Sequence, residues 1–164
     1  MSLASFNALD PGAAAGLVRP CVDNDEWVKA VVDGRPYASV EDALARAADA
    51  AAGWTAADLE HALAHHPRIG DQAAGTTSEA TMSRNEQAGV GLNSVSGSQM
   101  LAGNRAYEQR FGRVFLIRAA GRGANEILTE LNRRLNNSDD QETEEAIEQL
   151  RQIALLRLRG VLEG

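Results

Sequence analysis

The sequence predicts an all-α fold: a compact single-domain helical bundle over residues 1–164, with about seven to eight helices and one short irregular apolar connector. Three observations predict it. Helix-capping residues recur ahead of Ala- and Leu-rich segments, and apolar residues recur at three- and four-residue spacing. The one apolar run that could be extended, Val114 to Ile117, is too short and too isolated for a sheet, so it reads as a buried connector.

The elements follow in order. Asp10 before Pro11 forms an N-cap and first helical position, leading to Leu17. Asn24 caps a segment carrying Trp27, Val28 and Val31 that ends at Gly34-Arg35-Pro36. Ser39-Val40-Glu41-Asp42 has the capping-box form and opens an Ala-rich helix running to Gly53; Thr55-Ala56-Ala57-Asp58 repeats the device. That helix must stop before Pro67, because a residue preceding proline is pushed out of the α region. Between Gly70 and Gly97 the pattern weakens around a short helix at about Ala80 to Ala88. Ser98 begins the next helix, which carries Leu101, Tyr107 and Phe111 and ends at Gly112. Ile127, Leu128, Leu131 and Leu135 share a helix that stops near Asn136-Asn137. The last helix spans about Asp140 to Val161, with an acidic first turn at Asp139, Asp140 and Glu142 and arginines near its end, an order that suits the helix dipole.

Composition narrows the function classes. A formal net charge of −7, with Lys29 the only lysine, argues against nucleic-acid or anionic-membrane binding, which rewards clustered Lys and Arg. No stretch approaches the roughly 18 apolar residues of a membrane span. Cys21 is alone, which favours a reducing compartment, and the cytoplasm is the expected location. No phosphate loop or dinucleotide fingerprint is present, so no cofactor is expected.

Three residues carry the chemistry. His66 sits where a helix is forced to stop, so its ring projects from a turn towards a ligand; the common alternative is a loop histidine with a structural hydrogen bond. Arg157 falls on the same helical face as Ile147, Leu150, Ala154 and Val161, and a guanidinium there must find an anion, an internal ion pair or a route to solvent. Glu86 closes Ser83-Arg84-Asn85-Glu86, a capping-box pattern in which it would bond back to the Ser83 N–H. His61 and His65, four apart, could chelate zinc with His66 as a third ligand. Ala62, however, stands where the metalloprotease helix has its glutamate, so no metal site is assigned.

The ordered set His66-Pro67-Arg68-Ile69-Gly70, Ser83-Arg84-Asn85-Glu86-Gln87, Phe111-Gly112-Arg113-Val114-Phe115-Leu116-Ile117-Arg118-Ala119 and Leu156-Arg157-Leu158 resembles the OHCU decarboxylase family. That resemblance covers nearly the whole chain. It implies cofactor-independent conversion of 2-oxo-4-hydroxy-4-carboxy-5-ureidoimidazoline (OHCU) to (S)-allantoin in urate degradation. His66, Glu86 and Arg157 would be the catalytic groups, with Glu86 beside the imidazole and Arg157 holding the substrate's carboxylate or polar ring groups. Pro67, Ser83, Arg84, Asn85 and Gln87 would bind the ligand, as would Phe115, Leu116, Ile117, Arg118 and Ala119, the last segment gripping a flat ring through its main chain. Asn104 and Tyr107 match the family's Asn-x-x-Tyr helix and read as scaffolding, and Arg68 as a local salt bridge. The resemblance also admits a homodimer. Two other classes remain open at this level: a histidine-metal hydrolase on His61, His65 and His66, and a non-enzymatic helical binding module.

Overall fold

Side-chain caps set most of the helix boundaries in the computed structural model, which describes residues 1–64, 66, 68–70 and 77–164. Ser2 caps α1 (Leu3–Ala8) by accepting from the Ser5 N–H, and Asp10 caps α2 (Pro11–Val18) by accepting from the Ala13 N–H at 3.0 Å. After a 3-10 turn at Arg19–Cys21, Asn24 accepts from the Trp27 N–H at 3.0 Å to open α3 (Asp25–Asp33). Ser39 does the same from Asp42 for α4 (Val40–Ala51). Thr55 and Asp58 exchange hydrogen bonds at the start of α5 (Ala56–Leu63). Each cap satisfies an N–H that the first helical turn leaves without a partner.

The chain partitions into two compact units, residues 1–62 with 151–164, and residues 63–150. In the first, α3 packs on α2 and α4. Trp27 is buried there, and its indole N–H donates to the Ala47 carbonyl at 2.9 Å, so the ring's one polar atom is satisfied. Arg35 closes the end of α1 by donating to the carbonyls of Phe6 and Leu9. Arg151 donates to the Ala51 carbonyl at the end of α4. Cys21 is fully buried, as a small core residue would be.

The second unit holds α6 (Ser78–Gln87), α7 (Ser94–Phe111), α8 (Ala124–Arg134) and the first half of α9 (Asp139–Glu163). The short helix expected at about Ala80 to Ala88 is present as α6, while one predicted helix start, that of α7, moves. Thr77 is the N-cap of α6, so Ser83 lies buried inside the helix and the Ser83–Glu86 capping box, one of the two readings of Glu86, does not form. Helix α7 begins at Ser94 rather than Ser98, because Asn93 and Ser96 form a reciprocal capping box at 2.8 Å in each direction. Its other end is where the sequence places it: Gly112 takes the left-handed conformation, φ 71°, that ends a helix at little cost for glycine.

Residues 113–119 form the expected irregular connector, with Phe115, Leu116 and Ile117 buried. Phe115 and Ile117 share one core with Ile69, Met100, Tyr107, Ile127 and Leu131. Against Phe115 and Tyr107 lies an ion pair that the reading of Glu142 as a helix-start charge did not anticipate. Arg134 and Glu142 are 1% and 0% exposed, and the guanidinium meets the carboxylate through Nε at 2.9 Å and Nη2 at 2.5 Å. The Tyr107 hydroxyl donates to the same carboxylate, and Asn137 adds a further bond. Burial, and after it the bond to Glu142, pushes the Tyr107 phenol well above its usual range, so its proton stays in place as a donor.

Removing one partner of a buried pair strands the other charge, so Glu142→Gln is expected to lower unfolding free energy by about 3–5 kcal/mol, read as a fall in the urea midpoint. A weaker effect is expected at Glu145, whose carboxyl is held below its ordinary 4.5 by hydrogen bonds from Arg133 and Asn137. A depressed carboxylate stabilises the fold above its unfolded pKa and loses that contribution as pH falls through the folded value. The stability gap between wild type and Glu145→Gln should therefore be full at neutral pH and shrink below about pH 4.5, measured by urea unfolding across that range.

Candidate active site

The turn that carries His66 follows directly from the end of α5: the His66 N–H donates to the Leu63 carbonyl at 3.2 Å, and the ring is half-buried. Pro67 and His65 lie outside the described residues. What comes next is fastened from two helices. On the α6 side, Gln87 accepts from the Gly70 N–H at 3.1 Å and donates to the Arg68 carbonyl at 3.5 Å. On the α7 side, Asn104 donates to the Ile69 carbonyl at 2.9 Å, while Glu108 receives the Arg68 guanidinium through Nε and Nη2 at 2.7 to 3.0 Å. Ile69 is inserted in the core, and Gly70 has φ 100°, a conformation that a side chain would strain. Arg68 thus makes the local ion pair read from the sequence, and Asn104 and Tyr107 act as scaffolding.

Gln87 joins two of the predicted segments, since it lies next to Glu86 and grips the residues that follow His66. Glu86 is half-buried and Ser83 is 3% exposed, both on α6; Arg84 donates to Thr81 at 3.3 Å, and Asn85 is exposed. Gln87 therefore has a structural task in this turn.

In the connector, the side chains and the main chain do different things. Phe115 lies under the Arg134 guanidinium, 4.5 Å from ring centroid to charge, and meets Tyr107 edge-on at 5.1 Å, so its ring is core. The Leu116 carbonyl accepts from Arg134 Nη1 at 2.9 Å, and the Arg118 N–H donates to Gln149 Oε1 at 2.9 Å. Between them, the N–H and C=O of Ile117 have no hydrogen-bond partner among the described residues, although Ile117 is only 3% exposed. Buried main-chain groups of that kind are rare in folded proteins and call for a partner.

Arg157 belongs to the other unit, where it is 5% exposed, as its place on the apolar stripe predicts, and Nη1 donates to the Pro20 carbonyl at 3.1 Å. His61 also lies there, with Nε2 3.1 Å from Asp23 Oδ2. Among the described residues no helix is long and apolar enough to cross a membrane.

Sequence reasoning missed Arg134, Gln149 and the buried role of Glu142. A signal existed for Arg134, which continues the Ile127 and Leu131 face of α8 exactly as Arg157 continues its own, one turn on. Nothing comparable marks Gln149.

The sequence pattern of the OHCU decarboxylase family matches residues 7–159. A relative from Amia calva named 2-oxo-4-hydroxy-4-carboxy-5-ureidoimidazoline decarboxylase is 31% identical over 137 residues, covering 82% of this chain and 78% of that protein. One of the same name from Haloferax volcanii is 28% identical over 165 residues, covering 96% and 94%. The crystal structure of an OHCU decarboxylase in the presence of (S)-allantoin shares the fold with a TM-score of 0.71 at 24% identity, over 91% of this chain and 99% of that one. With the match running through both units and all four motif segments, the chain belongs to the OHCU decarboxylase family.

Proposed function

We propose that this protein catalyses cofactor-independent, stereospecific decarboxylation of OHCU to (S)-allantoin in urate degradation, with His66, Glu86 and Arg157 as its catalytic groups. The observation that carries the reading is the staple between the first two motif segments, in which Gln87, beside Glu86, holds the turn that begins at His66. Family membership and the presence of Arg157 on a buried helical face support it further. A cytoplasmic location and a homodimer complete the proposal.

The chemistry places few demands on the protein. When the bond between the carboxylate and the ring carbon breaks, carbon dioxide leaves and the electron pair moves into the adjoining C=N of the imidazoline. The substrate is thus its own electron sink, and the enol that results needs a proton on the carbon bearing the ureido group. His66 delivers that proton to one face, which fixes the hand of the product, while the hydroxyl proton is released as the former hydroxyl carbon becomes the ring carbonyl, and the ring nitrogen that received the electron pair takes up a proton. Arg157 holds the substrate's anionic group, a role in which a planar guanidinium offers paired donors. Glu86 contacts the hydroxyl or ureido group and orients the imidazole. The connector from Phe115 to Ala119 grips the ring through its main chain.

Freshly generated OHCU supplies the test, with allantoin formation and optical rotation followed together. Wild type should form the (S) product faster than the spontaneous reaction, and turnover that is neither faster nor stereoselective removes the assignment. His66→Ala should lose about 10²- to 10⁴-fold in kcat, the usual contribution of a positioned general acid. His61→Ala should stay near wild type; equal losses in both variants, restored by zinc, would mean metal chemistry instead. Arg157→Lys should raise KM by about tenfold, because an ammonium cannot reproduce the paired geometry.

A further inference from the structure

The connector is irregular, yet two of its peptide planes are fixed from outside. A trans peptide points its C=O and the following N–H in opposite directions, and the only cis bond among the described residues is Arg35–Pro36. The Leu116 carbonyl, held by Arg134 Nη1 at 2.9 Å, therefore sets the direction of the Ile117 N–H. The Arg118 N–H, held by Gln149 Oε1 at 2.9 Å, sets the direction of the Ile117 C=O. Those are the two main-chain groups of Ile117 that lack a partner among the described residues.

We propose that Arg134 and Gln149 are positioning residues that clamp the peptide planes on either side of Ile117 and so aim its N–H and C=O at the substrate ring. One donor and one acceptor on a single residue complement an amide edge, where a ring N–H adjoins a ring carbonyl. The cyclic ureide of OHCU and the hydantoin ring of allantoin both present such an edge. The proposal rests on the decarboxylase reading and narrows the main-chain grip from the whole Phe115–Ala119 segment to one residue. It also gives the buried pair a task beyond packing. Glu142 fixes the Arg134 guanidinium through Nε and Nη2, which leaves Nη1 directed at Leu116. Neither positioning residue touches the reacting atoms.

Gln149 is the better probe, because it is half-buried and stands outside the ion pair. Gln149→Met keeps the length of the side chain and removes the acceptor, whereas Gln149→Glu keeps an oxygen for the Arg118 N–H. In the full-length protein, Gln149→Met should raise KM for OHCU and the Kd for (S)-allantoin by about tenfold with kcat changed less than threefold, since one misaligned contact is worth about that factor. Its melting temperature should fall by no more than about 2–4 °C, the scale of one hydrogen bond in a domain of this size. Gln149→Glu should recover wild-type KM. Unchanged KM and Kd in Gln149→Met would overturn the clamp, and so would an equal loss in both variants, which is what a purely structural residue would give. If wild type does not accelerate the reaction and His66→Ala matches it, the decarboxylase reading falls and takes the clamp's ligand with it. That result is distinct from an active wild type and an inactive His66→Ala beside an unaffected Gln149→Met, which sinks the clamp alone.

Discussion

A guanidinium and a carboxylate with almost no access to water, Arg134 and Glu142, hold the second unit in register. Transferring two charges from water costs several kcal/mol for each ion, and the attraction between them offsets this only when the remaining donors and acceptors are satisfied. Here they are well supplied. The carboxylate receives bonds from Arg134, Tyr107 and Asn137; the guanidinium reaches Glu142 and the Leu116 carbonyl and lies over the Phe115 ring. The network ties α7, α8, α9 and the connector together. An apolar pair of the same volume could be as stable, but it could not hold a carbonyl, so what the ions add over hydrocarbon is direction.

That direction matters because of what an irregular segment can offer. Away from its ends a helix satisfies its backbone internally, and away from its edges a sheet satisfies it across strands, so neither interior leaves main-chain donors and acceptors for a small molecule. The connector leaves some, and without external fixing it would lose both order and aim. Arg134 and Gln149 fix its peptide planes while the apolar side chains of Phe115 and Ile117 anchor it in the core. Ile117, whose N–H and C=O lack a partner among the described residues, thus lies between two peptide planes that the surrounding fold holds. Strain and polar deficits persist at functional sites under that condition.

The all-α architecture and most helix ends could be read from the sequence because their causes are local. Asp10, Asn24, Ser39 and Thr55 each cap the next turn, and Gly112 stops α7, without reference to any distant residue. The misplaced start of α7 lies where capping residues crowd together: Asn93, Ser94, Ser96 and Ser98 all suit an N-cap, and local preference alone does not choose among equivalents. Arg157 was legible as a charge on an apolar face. Its counterpart Arg134 carried the same signal, but its partner Glu142 also fits a helix-start role, and only tertiary packing shows that it points inward. Gln149 could not be found at all, since its contact is a side chain reaching a backbone N–H 31 positions earlier.

The segment from His66 to Gly70 shows how a motif read as chemistry can consist largely of support. An imidazole that must deliver a proton to one face of a planar carbon has to be held to within a fraction of an ångström, and a turn following a helix end has little intrinsic rigidity. Rigidity comes from its neighbours: Arg68 pairs with Glu108, Ile69 is inserted in the core with its carbonyl held by Asn104, and Gly70 takes a backbone conformation that a side chain would strain while Gln87 binds its N–H. Of the described residues in this segment, His66 alone has a side chain suited to proton transfer. Specificity of the motif therefore resides as much in the residues that hold the turn as in the one that reacts, and a substitution at Ile69 or Gly70 would disturb catalysis through the position of His66.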